Sequence, residues 1–238
     1  MKLKKYSIKN IRKNRSITSW VTLILDPFSS GLTWLIIHFS HLNPNIITLI
    51  GLVIGFSASY FIYNDMLWIS ALLFEIYYIF DMTDGRVARL TNKTTKKGAL
   101  FDFFGDRVLY FILATFLFLY SIDKNGSKQI FIVIILFVFL ENFNLLSTQK
   151  INQIDQEKKS SKKMNKKKIN IIYKIIKKYQ HIKNKYKIPI IPGGVEAVHA
   201  VFFLGPITGK IFFGFLIGDL ILLFCFLTNF LFLSIRPS

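Results

Sequence analysis

Long apolar runs separated by short polar turns dominate the chain, and their lengths predict helices that cross a membrane. Segments at roughly 44–63, 67–90, 98–121, 127–148, 194–209 and 211–234 are apolar over most of their length, and about 20 residues at a 1.5 Å rise match a hydrocarbon layer roughly 30 Å thick. The fifth is short and contains Gly205-Pro206, so residues 194–234 read either as two spans or as one broken helix. The stretch from Thr18 to Leu42 is interrupted by Asp26-Pro27 and by Ser29-Ser30-Gly31, which leaves it a poor span or a helix lying along the surface. Ile8, Ile11, Trp20, Leu23 and Leu25 fit an interfacial amphipathic segment. The predicted fold is all-α: a polytopic membrane helical bundle of about six transmembrane helices behind an N-terminal juxtamembrane amphipathic helix.

Composition supports that class. The 238 residues are 52% hydrophobic, more than the core of one moderate-sized soluble domain requires. The single cysteine, Cys225, excludes an intramolecular disulfide framework and a cysteine-based zinc site. Residues 1–16 carry seven Lys and Arg but no apolar core with a small-residue cleavage site, so a cleaved secretory signal is not expected. The domain organisation reads as a basic N-terminus and juxtamembrane helix (1–43), a four-helix membrane core (44–148) that holds the candidate chemistry described below, a basic segment (149–193) and the final membrane helices (194–238).

Charge placement orients the bundle. With a cytoplasmic N-terminus, the inside segments hold the seven early cations, then Arg86, Arg89, Lys93, Lys96 and Lys97, and then fourteen basic residues between Lys150 and Lys187. The outside loops hold only Lys124, Lys128 and Lys210, an asymmetry that follows the positive-inside rule. The Lys150–Lys187 run is the main source of the net charge of +18. It reads either as a solvated linker that helps set topology or, through INIIYKIIKKYQHIKNKY, as a basic amphipathic helix on an anionic leaflet. The membrane spans disfavour a nucleic-acid partner, which charge alone would permit.

Four of the thirteen acidic residues fall between Asp81 and Asp106, in DMTDGRVARLTNKTTKKGALFDFFGD, at the seam of two apolar segments. Unpaired carboxylates there cost several kcal/mol, so a cation must compensate them. Asp81, Asp84 and Ala88 share one helical face at i, i+3 and i+7, and Gly98, Asp102 and Asp106 share another at i, i+4 and i+8. The polar turn TNKTTKK lets the two helices pack antiparallel with both acidic faces toward one cavity. Gly85 and Ala88 remove bulk beside the carboxylates. Four oxygen donors around one point suit a hard divalent cation such as Mg²⁺ or Mn²⁺, and two such ions would bind a diphosphate and stabilise its leaving phosphate. Attack by an alcohol also needs a base, which one of the four aspartates can supply.

The stretch matches DxxDGxxAR, eight residues, then GxxxDxxxD without a gap, at Asp81, Asp84, Gly85, Ala88, Arg89, Gly98, Asp102 and Asp106. In this it resembles the CDP-alcohol phosphatidyltransferase family of integral-membrane enzymes. Pro44, Asn45 and Thr48 resemble the PNxxT start of that family's first membrane helix, and the resemblance runs from about Leu42 to Lys150. It favours the juxtamembrane placement of Thr18–Leu42. It implies that Asp81, Asp84 and Asp102 coordinate the metals, with Asp106 as both metal ligand and proton acceptor. Gly85 and Arg89 would contact the CDP moiety, and Ala88, Thr95, Asn45 and Thr48 would complete the nucleotide site. The implied reaction is attack of an acceptor hydroxyl on the β-phosphorus of a CDP-activated lipid such as CDP-diacylglycerol, releasing CMP at the cytoplasmic face of the cell membrane. Arg107, directly after Asp106, is more like the branch that uses inositol phosphate than the branch that uses glycerol phosphate, and is a candidate acceptor-binding residue. Similar enzymes are often homodimers.

Other readings stay open. A membrane prenyltransferase would also set aspartate-bound Mg²⁺ against a diphosphate, a transporter or channel could line its pathway with intramembrane aspartates, and a family member could have lost its chemistry. Glu75 and Asp219 lie within apolar spans and are functional or hydrogen-bonded. Glu196 and His199, at i and i+3, either face the cavity or settle a helix start, the second being the simpler account. His38 and His41 read as interfacial side chains, and the phenylalanines as packing or lipid-facing residues.

Overall fold

The computed structural model describes residues 6–13, 19–40, 42–125, 128–160 and 192–235. Its elements are α1 (Ile8–Lys13), α2 (Trp20–Ser40, closing in a π-helical turn), α3 (Pro44–Tyr63), α4 (Leu67–Leu90), α5 (Lys96–Asn125), α6 (Lys128–Ser160), α7 (Gly194–Thr208) and α8 (Ile211–Ile235). No strand occurs among the described residues. The expected basic or amphipathic segment at 149–193 falls largely outside them, as do His41 and most of the basic N-terminus.

Local chemistry sets the boundaries. Ser19 caps α2 by accepting from Thr22 N at 3.0 Å, and Pro44 opens α3 at a position whose N–H has no helical partner. Asp65 and Asn92 take φ of 61° and 56° in the turns that reverse the chain after α3 and after α4, a conformation that short polar side chains tolerate. In α7 the π-helical stretch Ala200–Leu204 immediately precedes Gly205-Pro206, where the ring removes one ladder N–H. Gly209, with φ of 66°, then ends the helix, and α8 folds back against it: a Cβ on Gly214 would lie 2.7 Å from Ala200 O. Residues 194–234 are therefore two helices, not one broken span.

Among the described residues, five helices are long and apolar enough to cross a membrane: Trp20–Ser40, Pro44–Tyr63, Lys96–Lys124, Gln129–Ile151 and Ile211–Leu231. The set differs from the six segments read from sequence in both directions. Leu67–Leu90 has the length, but Glu75, Asp81, Asp84, Arg86 and Arg89 remove it on composition, and Gly194–Thr208 is shorter. Trp20–Ser40 enters because over 21 residues Asp26 is its one Asp, Glu, Lys or Arg; Asp26 and the other interrupting residues Ser29, Ser30 and Thr33 are all buried. Its outward face carries Ile24, Phe28, Leu35 and Phe39. The fourth span, placed at 127–148 by its apolar run, continues as helix to Ser160, since KINQIDQEKK is rich in good helix formers.

Small residues bring α3, α4 and α5 together, as membrane helices without a hydrophobic driving force between them require. A Cβ on Gly51 would lie 2.9 Å from Phe80 Cβ, and one on Gly55 2.6 Å from Leu109 Cδ2. Beyond this layer, Phe74, Tyr77, Leu109, Leu113, Phe137, Phe202 and Phe215 form a continuous core between the central helices and the α7–α8 hairpin. Tyr110 stacks on Phe202 with ring centroids 5.5 Å apart.

Candidate active site

The antiparallel turn between α4 and α5 places the acidic faces opposite each other. Carboxylate oxygens of Asp81, Asp102 and Asp106 all lie within 4.8 Å of one another. Three like charges at this spacing repel strongly when partly buried. Asp102 Oδ1 is buried without a hydrogen-bond partner among the described residues. Hard oxygen donors, their convergence and that orphaned atom all fit a divalent cation such as Mg²⁺ or Mn²⁺.

Asp84, the fourth acid of the motif, is set apart from this trio. It is buried, and its Oδ2 accepts a hydrogen bond from the Thr48 hydroxyl of α3. It lines a cavity of about 210 Å³ together with Asp102. That cavity gathers every residue assigned to the nucleotide: Asn45 and Thr48 from α3, Gly85, Ala88 and Arg89 from α4, and Thr95 from the turn. Two glycines make the gathering possible. A Cβ on Gly98 would stand 2.8 Å from Asn45 Oδ1 and 3.0 Å from Thr95 Oγ1, and one on Gly85 would stand 3.2 Å from Arg89 Nη1. The Arg89 guanidinium therefore folds over the bare backbone of Gly85.

Arg107 is not part of this cavity. It forms an ion pair with Glu141 of α6, lies over the Tyr110 ring at 5.2 Å, and lines a separate space of about 220 Å³ between α5 and α6. Its charge is already compensated.

Several polar partners escaped the sequence reading. The Tyr77 hydroxyl of α4 donates to Asp106 Oδ1; its position one turn before Asp81 on the same face was the available signal. Glu141 lies inside an apolar span, which alone marks an ionisable residue for attention. Arg86, within the motif but not one of its fixed positions, is buried and paired with Asp26 at 2.8 Å, a contact that no local spacing reveals.

The remaining candidates divide. Glu196 settles a helix start, accepting from Gly193 N at 2.7 Å and Trp20 N at 2.6 Å. His199 is buried, with Nε2 3.5 Å from Glu75 Oε1 and its ring against Phe74 and Tyr78. The two therefore do not share a cavity role. Asp219 is buried with neither oxygen hydrogen-bonded among the described residues, and His38 Nδ1 contacts Trp34 O at 2.8 Å.

No curated protein matches the sequence significantly. Among solved structures, the fold is similar to that of the phosphatidylinositol phosphate synthase of Mycobacterium tuberculosis, determined with CDP-DAG bound. The TM-score is 0.50 and the sequence identity 15%, with 87% of this chain and 92% of that chain covered. The family model for CDP-alcohol phosphatidyltransferases matches residues 41–185, a range that contains all four aspartates and the whole cavity beside them. With its apolar helices, the chain is a multi-pass membrane protein, and it belongs to the CDP-alcohol phosphatidyltransferase family.

Proposed function

We propose that the protein transfers a phosphatidyl-type group from a CDP-alcohol such as CDP-diacylglycerol to an acceptor alcohol and releases CMP in phospholipid biosynthesis. The observation that carries this reading is the convergence of Asp81, Asp102 and Asp106 beside a cavity walled by Gly85 and Arg89. The bound CDP-lipid in the similar synthase structure supports the choice of donor.

Asp81, Asp102 and Asp106, together with Asp84, would hold the divalent cations, Mg²⁺ or Mn²⁺ and in all two ions. When bound, the metal neutralises diphosphate charge and stabilises the leaving phosphate. Arg89 binds diphosphate oxygens by charge-assisted hydrogen bonds, and Gly85 gives them room to approach. Asn45, Thr48 and Thr95 offer hydrogen bonds to the nucleotide. Asp106 accepts the proton of the acceptor hydroxyl as its oxygen bonds to the β-phosphorus; the bond from that phosphorus to the bridging oxygen breaks, and its electrons leave with CMP. Tyr77 orients the Asp106 carboxylate through its hydrogen bond. The lysine asymmetry supports a site open to the cytoplasm at the cell membrane.

Supply of purified protein with CDP-diacylglycerol, Mg²⁺ or Mn²⁺ and, in turn, serine, glycerol 3-phosphate, inositol and inositol 1-phosphate tests this directly. Acceptor-dependent CMP that disappears with EDTA and in Asp106→Asn supports it. Release of pyrophosphate from a prenyl diphosphate, with no CMP from any donor, would replace it with the prenyltransferase reading.

A further inference from the structure

The helix α2 lies outside the region that matches the family model, yet its polar face is buried against the back of α4. Arg86 Nη2 meets Asp26 Oδ1 at 2.8 Å and Arg86 Nη1 donates to Ser30 Oγ at 2.5 Å. Ser30 in turn donates to Asp26 Oδ1 at 3.3 Å, and Ser29 Oγ and Thr83 Oγ1 share a hydrogen bond at 3.1 Å. Asp26, Ser29, Ser30, Thr83 and Arg86 are each at most 2% exposed. The start of α2 is tied down as well, by Trp20 N donating to Glu196 of α7 at 2.6 Å.

A buried ion pair stabilises weakly when weighed against well-packed apolar residues, because desolvation offsets attraction. What it supplies is direction. Thr83 and Arg86 flank Asp84 on α4, so a contact that fixes their azimuth fixes that of Asp81, Asp84 and Gly85 on the other side of the same helix. Arg86 and Thr22 also reach a cavity of about 230 Å³ whose walls include Asp81, Asp84 and Asp102. The network and the acidic centre are therefore contiguous.

We propose that Asp26, Ser29 and Ser30 are positioning residues for the acidic centre, acting through Arg86 and Thr83 to set the rotation of α4. The proposal rests on the functional reading above. It gives α2 a part in the reaction although none of its side chains belongs to the DxxDGxxAR motif. The guanidinium matters because it holds Asp26 and Ser30 through two donors in one rigid plane, a geometry that a lysine ammonium does not reproduce.

The test is the affinity of the unmodified protein for Mn²⁺ in detergent, followed by electron paramagnetic resonance, beside kcat and KM for CMP release. Asp26→Asn and Arg86→Lys, each checked for folding by size-exclusion chromatography, are expected to weaken Mn²⁺ binding about tenfold, as loss of a supporting contact around a metal ligand does. They should lower kcat with little change in KM for the acceptor. Ser29→Ala, a milder variant that retains the ion pair, should shift both in the same direction by a smaller factor. Variants within twofold of the unmodified protein in Mn²⁺ affinity and kcat, with only a lower melting temperature, would overturn the proposal and leave α2 a purely structural strap. Unmodified protein that neither binds Mn²⁺ nor releases CMP would overturn the functional reading instead.

Discussion

Tyr77, one helical turn before Asp81, donates its hydroxyl to Asp106 Oδ1 across the α4–α5 interface. The bond links the two halves of the acidic motif through a residue outside it, and holds the proposed base by one oxygen while the other stays available. Replacement of Tyr77 by Phe keeps the ring in the core and removes only the donor. We expect kcat for CMP release to fall about tenfold, corresponding to roughly 1.5 kcal/mol for one hydrogen bond to a charged group, with KM for the CDP-lipid unchanged. A matching rise in KM would assign Tyr77 to substrate binding instead.

The mutual approach of Asp81, Asp102 and Asp106 to within 4.8 Å sets function against stability. Asp102→Asn removes one of three repelling charges, so in EDTA the variant should melt at a higher temperature than the unmodified protein. Added Mn²⁺ should raise the melting temperature of the unmodified protein, through preferential binding to the folded state, and have little effect on the variant. Differential scanning fluorimetry with and without Mn²⁺ reads both effects. A lower melting temperature for Asp102→Asn in EDTA would contradict the charge argument.

Gly85 underlies the Arg89 guanidinium, and a Cβ there would stand 3.2 Å from Nη1. Gly85→Ala has to displace that flexible tip by a few tenths of an ångström, without disturbing the backbone. Its expected signature is a KM for CDP-diacylglycerol raised by roughly one order of magnitude, about 1.4 kcal/mol, with an unchanged melting temperature. Saturation kinetics in mixed micelles at fixed acceptor concentration would show it.

The ion pair of Arg107 with Glu141 bears on acceptor choice. If Arg107 binds an acceptor phosphate it must exchange Glu141 for that ligand, so Arg107→Ala should raise KM for a phosphorylated acceptor and leave an unphosphorylated one unaffected. Equal effects on inositol and inositol 1-phosphate would assign the pair to α5–α6 packing. Glu141→Gln separates the two roles further: it frees the cation for phosphate but leaves it partly buried without its counter-charge.

Much of this protein was legible before any fold was available, and the reason is the short range of the signals. The helix at 44–63 coincides with its apolar run, a length that matches the hydrocarbon layer, and the helix at 67–90 ends at the polar turn that follows its motif. The i, i+3 and i, i+4 spacing of the aspartates is a property of a single helix, and one short polar turn suffices to bring two such faces together. Asn45, Thr48 and Thr95 line one cavity, although they come from two separate segments of the chain. What lay beyond sequence depended on contacts between distant segments. The polar residues that made Thr18–Leu42 read as a poor span or a surface helix are buried because Asp26 meets Arg86, sixty residues away. Thr48 of α3 is the partner that Asp84 meets, and Glu141 of the next helix is the one that Arg107 meets. Spacing reports which side of a helix a residue occupies; only packing decides which charge it meets, since Coulomb and hydrogen-bond energies depend on separations of a few ångströms that the order of residues does not encode.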